Sequence, residues 1–408
     1  MRRALSIFDA TCLGVNAVVG SGIYLVPGKL ARELGPASLL AWIGTGALCL
    51  PLALTFAALG RLEERTGGSF RYAELAFGKG VAFVVGWSAW VTSVISWAAV
   101  ANGITSYLST FAAAFGERPF DRLLPALVVG ALGGLNVRGV KPGARVMDAL
   151  TLLKLVPLAF FVAAGITKFR AATLVPFAPH GFGALPAMAL MTLFAYQGFE
   201  VVGVPSGEVR DARRAVPLAV LVALAFPALL YVLVELVFLG ASGPTDTRAP
   251  LVDAARALAG GAGATLLGLG GLVSMLGYNA GTALATPRYL QALADERLLP
   301  RAFGAVHPRY GTPAVAVVAS AGVTLVLTQL LDFERLVDLA ALAVVAQYLA
   351  SSAALVKLGR GGARVTGLLS VLVSLLFAAE GELTQATILG ALTLVGVVLA
   401  LVTRRLAW

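Results

Sequence analysis

Two short stretches of this chain set glycine and polar residues inside long apolar runs. The first reads Asn16-Ala-Val-Val-Gly20-Ser21-Gly22-Ile23, the second Phe194-Ala195-Tyr196-Gln197-Gly198-Phe199-Glu200. Glycine costs a helix interior about 1 kcal/mol. A helix cut at such a stretch leaves backbone groups unpaired. The amides that start one half carry partial positive charge and suit a carboxylate, and the carbonyls that end the other half suit an ammonium. Ser21 can add a hydroxyl donor, and Gly20 and Gly22 let a ligand approach the backbone. Between the two stretches stands Lys154, in Leu152-Leu-Lys154-Leu-Val-Pro157. It lies about nine residues beyond Arg145, roughly 14 Å along a helix. What these groups can do depends on where the surrounding elements hold them.

The chain has 408 residues, of which 59% are hydrophobic and only 13% charged. Soluble domains carry about 25% charged residues. A soluble chain of this length could not hide so much apolar surface, and the mean hydropathy of +0.88 agrees. The composition therefore reads as an all-α polytopic membrane protein. Transmembrane β-strands would show alternating segments of about ten residues, and none appear. A hydrocarbon core of roughly 30 Å takes about 20 helical residues. On that scale twelve spans are read, at 7–33, 36–60, 79–110, 122–138, 145–167, 184–208, 215–240, 262–287, 312–331, 333–357, 363–379 and 386–403. The connecting loops are short, so residues 1–408 form a single transmembrane domain. The two breaks then fall at mid-depth on spans one and six. Irregular backbone is tolerated in a membrane only where it lines a cavity, and paired broken helices mark substrate sites in inverted-repeat transporters. Lys154 falls near the bilayer centre, where a charge is expensive and the side chain cannot easily reach water.

Other chemistries find little support. Cys12 and Cys49 both lie in apolar stretches, and His180 and His307 lie in loops far apart. No HExxH, CxxC, GxSxG or phosphate-loop motif occurs, so neither an enzyme nor a metal site is expected. The net charge of +10 is spread in short clusters between apolar spans. Membrane orientation accounts for it, and nucleic-acid binding is set aside. With the N-terminus inside, more than twice as many Lys and Arg fall on the cytoplasmic side as outside, which places both termini in the cytoplasm. Arg2 and Arg3 precede an apolar run as in a signal peptide, but Asp9, Asn16 and the Gly20-Ser21-Gly22 break argue against a removable segment.

Four segments resemble the amino acid–polyamine–organocation superfamily of permeases. They are the Gly20-to-Ile23 break; Leu135-Asn-Val-Arg-Gly139 running into Leu152-to-Pro157; the Phe194-to-Glu200 break followed by Gly207-Glu208-Val-Arg210 and Arg213-Arg214-Ala-Val-Pro217; and Thr286-Pro-Arg288-Tyr289 continuing through Leu298-Leu-Pro300 to His307-Pro-Arg309-Tyr310-Gly-Thr-Pro313. All four occur in order and at the matching spans. The resemblance implies the LeuT-type fold. Spans one to five (about 7–167) and six to ten (about 184–357) would be inverted repeats, and two peripheral helices would occupy about 363–403.

The same resemblance implies a secondary amino acid transporter of the cell membrane, working by alternating access. Substrate would meet Val18, Gly20, Ser21, Gly22 and Ile23 at the first break and Phe194, Ala195, Gln197 and Gly198 at the second. Phe194 matches a lid position, and Gln197 and Tyr278 match positions lining the side-chain pocket. Span three is expected to contribute through Ser93, Trp97 or Asn102. Lys154 matches a lysine that stands where sodium-coupled relatives bind sodium, which implies a proton as coupling ion or a permanent internal cation. Glu200 is expected either to bond unwound backbone or to relay a proton. Glu235 is placed near the wet outer end of span seven and given no role. The pocket residues suit neutral amino acids. An exchanger, or a cationic amino acid or polyamine carrier, is the alternative within transport; a channel or sensor is the alternative outside it. No cofactor is expected, and the partners are the substrate and the bilayer, with room for a homodimer.

Overall fold

The computed structural model describes residues 5–109, 111–138, 144–242 and 249–406. Arg2, Arg3 and Gly139, named above, lie outside the described residues, as do the side chains of Arg145 and Glu208.

Helices follow the apolar runs. In chain order they are α1 (Ile7–Val18), α2 (Gly22–Leu34), α3 (Ser38–Leu62), α4 (Ser69–Phe77), α5 (Lys79–Leu108), α6 (Phe120–Val137) and α7 (Ala144–Ile166). The second half holds α8 (Leu185–Tyr196), α9 (Ala212–Val237), α10 (Pro250–Asp295), α11 (Ala314–Leu330), α12 (Phe333–Leu358), α13 (Gly362–Ala379) and α14 (Leu383–Leu406). No strand occurs among the described residues. Among the described residues ten helical stretches are long and apolar enough to cross a membrane, one of them joining α1, α2 and α3, and α11 is apolar but shorter. This is a polytopic, all-helical membrane protein.

Start signals are local. Ser6 and Asp9 cap α1 reciprocally, each side chain bonding the other's backbone N–H. Asp332 accepts from the Arg335 N–H to start α12. Two features depart from the sequence reading. The short α4 between α3 and α5 was not anticipated. The eighth apolar run begins earlier than 262, because α10 starts at Pro250 and bends at Ala259–Gly260.

Of the membrane-length helices α5 is the most deeply buried. It packs along α10 and α12, while α9 packs along α1 and α3. Outside them, α14 exposes Leu394, Val395, Val398 and Leu401. Such an apolar face needs lipid rather than water around it.

Candidate functional site

The first helix stops at Val18 and resumes at Gly22. The second break follows α8 at Tyr196 and continues as a 3-10 turn over Phe199–Gly203. Each break occurs where glycine weakens the helix and a side chain offers the freed backbone another partner. At the second, Gly198 adopts φ +129, and its N–H turns to Glu200 Oε2 at 2.8 Å. The Phe194 carbonyl thereby loses its usual i+4 donor.

The two breaks touch. A Cβ built on Gly22 would stand 2.6 Å from the Cβ of Ala195, and one on Gly198 would stand 2.5 Å from the Ala17 carbonyl carbon. Real Cβ atoms do not approach so closely, so glycine is what lets the four half-helices meet. Tyr231 of α9 fastens them: its hydroxyl lies 3.0 Å from the Val18 carbonyl and 3.2 Å from that of Ala195.

Lys154 is 1% exposed. Its Nζ donates to the carbonyls of Asn16 at 2.9 Å and Val19 at 2.5 Å. Ser274 of α10 donates to Val19 and Gly20. Two carbonyls expected to wait for a ligand ammonium, at Val18 and Ala195, already accept from the Tyr231 hydroxyl. The Ser21 hydroxyl is buried and has no partner among the described residues. Ile23 is fully buried in the core.

A cavity of about 70 Å³ lies beside the breaks. That is room for roughly five waters. Leu13, Asn16 and Ala17 of α1, Gln197, Gly198 and Glu200 of the second break, and Tyr278 of α10 line it. Thus Gln197, Gly198, Glu200 and Tyr278 share one cavity, whereas Val18, Gly20, Ser21, Gly22, Ile23, Phe194 and Ala195 stand outside its lining. Gly20 faces the Tyr278 ring, which a Cβ would meet at 3.2 Å. Of the three span-three candidates, Ser93 lines the cavity. Trp97 instead packs with Ala101, Val129 and Ala283, and Asn102 bonds the Leu331 carbonyl at 2.8 Å.

Sequence reasoning missed Thr92, Ser96, Thr282, Thr286 and Gln347, which also line the cavity. A signal was present: hydroxyls four residues apart, at 92 and 96 and at 282 and 286, share one helix face. Glu200 bonds Gly198 and accepts from the Tyr348 hydroxyl at 3.0 Å while facing the cavity. Glu235 is not wet. It is fully buried, and Ser38 donates to it at 2.6 Å, because α3 and the corner before it cover that end of α9.

A second hollow of about 890 Å³ lies beyond the breaks, lined by Leu25, Lys29, Met191, Phe333 and Glu334 among others. Lys29 and Glu334 pair at 2.8 Å across it. Phe194 stands edge-on to Phe333, ring centroids 6.4 Å apart. Along both broken helices the break therefore falls between residues that line the hollow and residues that line the cavity.

An apolar bundle in which two broken helices meet beside a small internal cavity defines a multi-pass membrane protein with an internal site. A family model described as amino acid permease matches residues 5–403, and the chain belongs to this family within the amino acid–polyamine–organocation superfamily. Its relatives are transporters. A methylthioribose transporter of Bacillus subtilis is 29% identical over 77% of this chain and 72% of its own length. Cationic amino acid transporter 4 of Mus musculus is 29% identical over 85% of this chain, which spans only 58% of that longer protein. The branched-chain amino acid permease BcaP of Bacillus subtilis is 25% identical over 88% and 81%.

Proposed function

We propose that the protein is a secondary active transporter that carries neutral amino acids inward across the cell membrane together with protons, by alternating access. In this reading the chain crosses the membrane twelve times, as two inverted five-span repeats plus α13 and α14, with both termini in the cytoplasm. The observation that carries it is the meeting of the two helix breaks, with the Lys154 ammonium held on the carbonyls of the first. The amides that open α2 at Gly22 and Ile23, with the Ser21 hydroxyl, would take the substrate carboxylate. The Phe194 carbonyl, freed of its helical donor, would take the ammonium. Tyr278 and Gln197 would border the side chain, and Phe194 would lid it. Lys154, with Glu200, would exchange the proton that couples the cycle. The hollow with its Lys29–Glu334 pair would be the outer entrance, closed by Phe194 against Phe333.

One observation favours a second reading. Glu200 faces the cavity, so a carboxyl stands where a cationic side chain could use it. A relative named as a cationic amino acid transporter is consistent with that. Thermal stabilisation of the purified protein by each common amino acid separates the two. Stabilisation by neutral amino acids supports the main reading; stabilisation by lysine and arginine alone supports the second. No stabilisation by any amino acid would contradict both.

A further inference from the structure

Polar side chains of α1 and α7 fall into one seam. Asp9, Cys12 and Asn16 of α1 face Asp148, Thr151 and Lys154 of α7. The carboxyls of Asp9 and Asp148 lie within hydrogen-bond reach of each other, and Asp148 also reaches the Cys12 thiol. One turn further, Thr151 Oγ1 donates to the Cys12 carbonyl at 3.4 Å. At the next, Lys154 Nζ donates to Asn16 and Val19. Six residues separate Asp148 from Lys154, yet both meet α1, because it runs alongside α7 through all three rungs.

The seam has a direction. Asp9 and Asp148 are partly exposed, whereas Lys154 is buried about 9 Å further along the helix. Other groups at the first rung are Ser6, which bonds Asp9, and Arg210, whose charge acts on Asp9 from the segment leading into α9. Around Lys154, α2 brings Tyr24, whose hydroxyl lies 3.3 Å from the Lys154 carbonyl, and α10 brings Ser274. Polar groups inside a membrane bundle are costly and mark ion or proton pathways. Facing carboxylates of like charge hold one proton between them more readily than none. Asp148 Oδ1 is buried without a donor among the described residues.

We infer that Asp9 and Asp148 are the proton port of Lys154, linking it to the side of the membrane where α1 begins. When the seam parts, an N–H bond of the Lys154 ammonium breaks and an O–H bond forms on one carboxylate of the pair. The transfer runs through the Thr151 hydroxyl or an entering water. It leaves a neutral amine and a carboxylic acid, which then loses its proton to bulk water. This rests on the proton-coupled reading above.

The test compares wild type, Asp148→Asn, Asp148→Glu and Asp9→Asn in proteoliposomes, using the amino acid that best stabilises the purified protein. Uptake driven by an acidic exterior requires net proton release, whereas counterflow at equal pH does not. Asp148→Asn is expected to lower gradient-driven uptake at least about tenfold while counterflow stays within about twofold. Asp148→Glu should restore most of the loss. If Asp148→Asn fails to fold, Asp9→Asn, which keeps an acceptor for the Ser6 N–H, carries the same comparison. Gradient-driven uptake unchanged in both Asn variants overturns the port. Loss of both activities in a well-folded Asp148→Asn, without rescue by Asp148→Glu, assigns the pair a structural role and also overturns it. Wild type that ignores the gradient would contradict proton coupling itself, a different result from a coupled wild type with indifferent variants.

Discussion

Gly198 rests directly on the backbone of Ala17: a side-chain carbon on Gly198 would lie 2.5 Å from the Ala17 carbonyl carbon and 2.7 Å from the Val18 nitrogen. Neither atom belongs to a flexible side chain, so neither can swing aside. The residue also holds φ +129, which L residues avoid. Gly198→Ala should therefore cost at least about 2 kcal/mol and separate the two breaks. A lowered melting temperature with no amino acid-induced stabilisation is expected. A variant that melts and binds as wild type would mean that the breaks need not touch.

At Gly22 the opposing atoms are Cβ and Cα of Ala195. Gly22→Val should abolish substrate stabilisation. Ser21→Ala should weaken binding by about 1 kcal/mol, as for one lost hydrogen bond. Titration of thermal shift against substrate concentration measures both. Normal binding by Gly22→Val would put the carboxylate site elsewhere.

Tyr231 bridges the Val18 and Ala195 carbonyls with one hydroxyl. Tyr231→Phe keeps the ring against Trp42, 5.1 Å between centroids, and removes only that bridge. Two buried carbonyls then lose a donor, at about 1–3 kcal/mol in total. A melting temperature several degrees lower checks this; an unchanged value would show that the bridge carries no stability.

Outside the spans, Glu296 accepts from Lys79 at 2.8 Å and Arg71 at 2.9 Å. Those bonds, Lys79 first, hold its carboxyl below the usual carboxylate range. The stability it contributes is full above the unfolded value of about 4.3 and is lost as pH falls through the lowered folded value. Glu296→Gln should thus melt lower than wild type at pH 7, by under about 1 kcal/mol for so exposed a network. The gap should close on acidification below pH of about 4. A gap that widens in acid would contradict the sign.

How much of this was legible in the sequence varies by residue. The breaks were, because glycine beside Asn16, Gln197 and Glu200 is conspicuous in apolar surroundings. The partners of Lys154 were not: a helical period fixes spacing, but only packing decides that α7 presents residues 148, 151 and 154 to α1. Glu235 misled for a related reason. Distance from the end of a span measures depth in the membrane, whereas burial depends on what covers that depth, here the start of α3 with Ser38. Occupied carbonyls at Val18 and Val19 were likewise invisible, since their donors, Tyr231 and Ser274, come from α9 and α10.

Orientation can be read independently of transport. Single cysteines near Arg297 and near Arg335, in a background lacking Cys12 and Cys49, should label from opposite faces, Arg297 from the cytoplasm. Labelling of both from outside would reverse the proposed topology.

Lys154 carries the central claim, and uptake of the best-stabilising amino acid into proteoliposomes with an acidic exterior tests it most directly. Wild type should accumulate substrate, and an uncoupler should abolish accumulation. Lys154→Ala should bind but not accumulate, and Lys154→Arg should substitute poorly, because guanidinium does not release its proton. Wild-type uptake that ignores the gradient and requires amino acid inside the vesicle would contradict proton coupling: the protein would be an exchanger, and Lys154 a permanent cation on the Asn16 and Val19 carbonyls.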